Sequence, residues 1–126
     1  MEVIIAMAIS VILVSGLVFS VTTSIRNSQF AQSQTLATKF SQEAMEKIRS
    51  YRDKNNWTTF IANCGSLPAM GISAPPPPST RTVSCADTSP VDPNKKAVTV
   101  TVSWTDPTGA HKSQLTAYFS NQSLWK

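Results

Sequence analysis

Cys64 and Cys85 are the only two thiols of the chain, and His111 is its only imidazole. That inventory limits the chemistry severely. Two thiols and one imidazole fall short of the four ligands a structural zinc needs. The thiols are better matched to each other. A bridge between them closes a loop of about 20 residues and stabilises a small domain by roughly 3 kcal/mol in the chain-entropy view. It also implies an oxidising compartment outside the cytoplasm. No serine or cysteine has a plausible histidine base, and neither a glycine-rich phosphate loop nor a Cys-x-x-Cys pair occurs. His111 follows a turn signal, where an exposed strand residue is expected. The sequence therefore reads as that of a non-enzyme with no metal and no cofactor.

One titratable group has an unusual setting. Glu2 heads the stretch VIIAMAISVILVSGLVFSVTTSI, residues 3–25, which carries no charge and no proline. As a helix rising about 1.5 Å per residue, such a run reaches roughly 35 Å, enough to cross a bilayer core. A carboxylate where hydrocarbon begins is costly, so Glu2 is expected to have a partner. The next basic residue of the chain is Arg26, so that partner must come from outside the local helix. A secretory signal peptide has a basic start, a shorter core and a small-residue cleavage site. None of these is found here, and a retained helix is the better reading.

The helix is expected to continue. No glycine or proline lies between Leu17 and Asn63. Within RNSQFAQSQTLATKFSQEAMEKIRSYRD, residues 26–53, Leu36, Phe40, Ala44, Ile48 and Tyr51 recur at helical spacing, with Ala37 and Met45 widening the stripe. The segment from Asn63 to Asn94 is turn-rich and includes Pro75 to Pro78, read as a stiff extended surface loop. The period then changes to two. Val98, Val100, Val102 and Trp104 alternate with Thr and Ser, Asp106-Pro107-Thr108-Gly109 signals a turn, and Leu115, Ala117 and Phe119 alternate again. These two strands should form a hairpin, with Thr80 to Cys85 as a third strand.

The expected fold class is α+β, a long N-terminal helix packed against a small antiparallel sheet. Its three parts are an apolar helix over 1–25, an amphipathic continuation over 26–54, and a disulfide-stapled β head over 55–126. Leu36, Phe40, Ile48, Val100, Val102 and Trp104 are the expected packing residues between helix and sheet. Orientation poses a conflict. Arg26 and Lys39 follow the apolar run and nothing basic precedes it, which by the positive-inside rule places the head in the cytoplasm. The cysteines place it outside. Both signals fit if a basic leader once preceded Met1.

Glu2 followed by VIIAMAISVILVSGLVFS resembles the N-terminal segment of type IV pilins and pseudopilins. SQEAMEKIRSYRDKNNW, residues 41–57, is similar to minor pilins of the pilus-modification type, as more weakly is VTVTVSWTD with its turn and SQLTAYFS. In that family a phenylalanine opens the mature chain and a glutamate follows a few residues on. Glu2 matches the glutamate, and the residues before it are absent or differ from the pattern. The helix-breaking proline of many major pilins has no counterpart.

The resemblance implies a structural filament subunit of a pilus, fimbrium or secretion pseudopilus. It would polymerise through Val3, Ile4, Ile5, Ile9, Ile12, Leu13, Leu17 and Phe19, with Glu2 as the assembly charge. It implies as partners sibling pilins, a prepilin peptidase that also methylates the new N-terminus, and an assembly platform with its ATPase. The subunit would wait in the bacterial cytoplasmic membrane with its head outside, then enter an extracellular filament. The alternative is a single-pass membrane-anchored binding module. Net charge is +4. Lys95 and Lys96 with Lys112 form a basic cluster that no aromatic interleaves, and nucleic acid is the weaker explanation for it. Asn56-Trp57-Thr58 and Asn121-Gln122-Ser123 fit the glycosylation acceptor pattern, as chance triplets often do.

Overall fold

The structure, a computed structural model, describes residues 2–121. The second acceptor triplet therefore lies partly outside the described residues. Five elements follow in order: helix α1 (Glu2–Lys54), helix α2 (Trp57–Asn63), and strands β1 (Thr80–Asp87), β2 (Lys95–Asp106) and β3 (Gly109–Ser120). The chain divides into two compact units, Met1–Ser33 and Gln34–Lys126. The architecture is α+β, as expected.

In the larger unit, α1 lays Ala37, Ser41, Ala44, Met45 and Ile48 against an antiparallel sheet of order β1-β2-β3. The intervals of four, three, one and three keep these residues on one helical face. Val98, Val100 and Val102 of the central strand are fully buried and Trp104 nearly so. The period-two pattern thus faces the helix with its apolar side. Register is continuous, with Val83 opposite Val100 and Val100 opposite Leu115.

The core separates into two clusters. Ala44, Met45 and Ile48 pack with Phe60, Met70, Ile72, Val98, Val100 and Phe119, while Ala37 packs with Val102, Trp104 and the half-buried Phe40. Ile48 therefore shares its cluster with Val98 and Val100, and Val102 and Trp104 pack with the stripe about two to three turns earlier. Leu36 departs from expectation: it is 45% exposed. One residue is about 100° of helical rotation, so with Ala37 centred on the sheet Leu36 turns aside.

α2 is a short helix within 55–126, a stretch expected to be only the β head. The Asn56 side chain caps it by accepting from the Thr59 backbone N–H at 2.8 Å. Its product is Phe60, fully buried between the Trp57 ring, 5.4 Å away, and the Phe119 ring at 5.6 Å. Cys64 ends α2 and is bridged to Cys85 of β1. The segment after α2 then lies against that strand: a Cβ on Gly65 would meet the Val83 carbonyl at 3.6 Å, and its φ of +93° is a region glycine occupies without strain. The proline run bends back, Ser79 N–H donating to the Pro76 carbonyl at 3.2 Å, so it is not extended throughout.

The β2–β3 turn is closed by one carboxylate. Asp106 accepts from the Thr108 hydroxyl, from the backbone N–H groups of Thr108 at 2.7 Å and Gly109 at 3.2 Å, and lies 3.1 Å from His111 Nε2. The Thr108 hydroxyl chiefly holds the Asp106 carboxyl below its usual 3.8, reinforced by the Thr108 N–H and His111 and opposed by partial desolvation. A carboxylate with a depressed folded value adds stability above its unfolded value and loses it as pH falls through the folded one. Thermal melting of the head should therefore weaken as pH drops below about 4. Asp106→Asn should flatten part of that dependence; an unchanged pH profile would show that the turn contributes nothing.

Candidate functional site

The candidate residues Glu2 and the apolar side chains after it form the first half of α1. Ser10, Ser15, Thr22 and Thr23 each donate to the carbonyl four residues earlier, at 2.7–3.0 Å. These hydroxyls thus need no water, and the backbone is satisfied by the helix itself, which is the requirement for a segment in hydrocarbon. α1 is long and apolar enough in this part to cross a membrane.

Its side chains are all exposed. Val3, Ile4, Ile5, Ile9, Ile12, Leu13, Leu17 and Phe19 each leave more than half of their surface uncovered. The stretch is apolar on every face, so no rotation of the helix would bury it against a single neighbour. A monomeric soluble protein seldom exposes so large an apolar surface, which suits it to cover by lipid or by other protein. Gly16 sits midway, with nothing within 4 Å of where its Cβ would be.

Glu2 opens α1, where its negative charge is favoured by the helix N-terminus. Among the described residues no salt bridge reaches it. Residue 1 lies outside the described residues.

Glu2 and the apolar residues fall in the unit Met1–Ser33, while Cys64, Cys85 and the packing residues fall in Gln34–Lys126. In the latter, the bridge ties α2 to β1, and the basic cluster is dispersed by pairing. Lys96 pairs with Asp87 of β1 and Lys95 with Asp92 at 3.3 Å. Lys112 lies opposite Ser103, eight register steps from Lys95 along β2.

Arg81 was not anticipated as a buried residue. Its side chain is almost fully enclosed, 5.8 Å from the centre of the Phe40 ring and 3.8 Å from Glu43. The alternation Arg81, Val83, Cys85 places it on the sheet's inner face, and that period-two signal was available in the sequence. Among the described residues, no group of three or more potential metal ligands occurs. No family model matches the chain, and neither a curated protein nor a solved structure does.

Proposed function

We propose that this chain is a structural subunit of a type IV pilus or related filament and polymerises through the first half of α1. One observation carries the reading: an all-round apolar helix, headed by an acid, that continues without a breaker into the packing helix of a disulfide-stapled head. A membrane accounts for the apolar surface and leaves Glu2 at its interface with no role. Packing among copies accounts for both, since neighbouring helices replace lipid and supply a counter-charge. The sequence resemblance to type IV pilins points the same way. On this reading the chain is no enzyme; its partners are sibling subunits, a prepilin peptidase and an assembly platform. It is held in the bacterial cytoplasmic membrane with the head outside, before export into the fibre.

The second reading, a tethered binding module, is favoured by the same apolar helix taken alone. The two differ in where the mature protein resides. Expressed with its native upstream sequence and neighbouring genes, the chain should appear in the fibre fraction sheared from cells. Retention wholly in the membrane fraction of cells that do make fibres would discard the filament reading for the tether.

A further inference from the structure

Val14, Val18, Thr22 and Arg26 recur at every fourth position of α1, and Ser15, Phe19 and Thr23 form the neighbouring row. Rows of this spacing stand out as ridges on a helix, and between these two runs a furrow of about 560 Å³. Its hydroxyls are already used. Ser15, Thr22 and Thr23 each donate to a carbonyl of their own helix at 2.7–3.0 Å, so no hydroxyl donor is left over. The remaining walls are Val14, Val18 and Phe19, each at least 60% exposed.

Arg26 closes the furrow at one end. It is exposed, and among the described residues no salt bridge reaches it. The nearest acids along the chain are Glu2 and Glu43. At about 1.5 Å per residue, the rise from Val14 to Arg26 is roughly 18 Å. One leaflet holds about 15 Å of hydrocarbon, half of a core of roughly 30 Å. The same rise sets Arg26 about 36 Å from Glu2, so the two charges reach opposite interfaces of such a core.

We propose that this furrow holds one anionic phospholipid of the leaflet on the head's side, its phosphate on Arg26 and one acyl chain along Val14 and Val18. A guanidinium meets two phosphate oxygens at once, and an unpaired cation at headgroup level calls for a net negative partner. A zwitterionic lipid brings its own cation to that phosphate and fits less well. Below the phosphate, a furrow one leaflet deep with no free hydroxyl donor matches a hydrocarbon chain. The site rests only on the first half of α1 lying in a bilayer, which the filament and tether readings share.

The test places the full chain, with its Cys64–Cys85 bridge intact, in nanodiscs of equal phosphatidylcholine and phosphatidylglycerol. Native mass spectrometry of the released protein should find one retained lipid per chain, with phosphatidylglycerol favoured roughly fivefold. Arg26→Gln should bring the two lipids to parity. Arg26→Asn with Asn27→Arg keeps one guanidinium at nearly the same depth but turns it about 100° around the helix. That exchange should lose the preference too. Both positions are exposed, so the helix should be unaffected. A preference kept by the exchanged variant would overturn the site, because charge at an interface would then suffice. Equal retention of both lipids by the parent, or a lipid-free pair of chains in their place, would overturn it as well. A chain that never enters the discs would overturn the membrane reading itself, and the site with it.

Discussion

Glu2→Gln is expected to leave membrane insertion and head folding intact while nearly abolishing incorporation into fibres. The reason lies in what surrounds the carboxylate when helices pack among copies. An ion pair taken out of water adds little net stability, since desolvation offsets most of the attraction. Removing one partner is different, because the remaining charge stays buried and uncompensated at a cost of several kcal/mol. A loss of about 3 kcal/mol at each subunit contact lowers its equilibrium constant roughly 100-fold. The counter-charge that the pilin resemblance implies is the mature N-terminal amine, supplied within the subunit or by a neighbour. The pair would then fix the axial step of assembly more than the strength of the fibre. Immunoblots of membrane and sheared fractions check this for Glu2→Gln and Glu2→Ala together. Normal fibre levels for both variants would mean that Glu2 sits in water at the membrane interface and has no role in assembly.

The fold was legible in the sequence where a single physical period dominated. The lack of glycine and proline after Gly16, with apolar residues at helical spacing as far as Tyr51, gave α1 to Lys54, and alternation of Val98, Val100, Val102 and Trp104 gave the central strand. Strand ends were less legible. β2 begins at Lys95 and β3 at Gly109, because backbone pairing runs past the last apolar residue to the turn. Leu36 shows the limit of a stripe drawn by eye. A broad apolar face admits rotations one residue apart, and only contact with the sheet selects Ala37. Arg81 shows another limit, since its charge masks the alternation that places it inside. The apolar segment was plain from composition, but what covers it was not, because composition cannot distinguish lipid from a second helix.

The largest loss of stability is expected from Phe60, a residue no periodic signal singled out. α2 is only 7 residues long, too short to hold its own shape in water, and it persists through what it buries. Phe60 is fully enclosed and bridges α2 to β3 through Phe119 while touching the cluster built on Met45, Ile48 and Val100. Truncation to alanine removes the ring and leaves a cavity, a change that costs about 3–5 kcal/mol in a packed core. For a domain of this size each kcal/mol moves the melting point by roughly 4–8 °C, so a drop on the order of 20 °C is expected. The Cys64–Cys85 bridge keeps α2 close to β1 but cannot replace the ring, because it acts mainly on the entropy of the unfolded chain. Phe60→Leu, which refills much of the volume, should lose far less. So should Phe40→Ala, where half-burial leaves part of the ring in solvent before the change. Near-ultraviolet circular dichroism of the full chain in detergent during heating reports the tertiary packing directly. If Phe60→Ala melts within a few degrees of the parent, α2 does not organise the core and the head is held by the sheet and α1 alone.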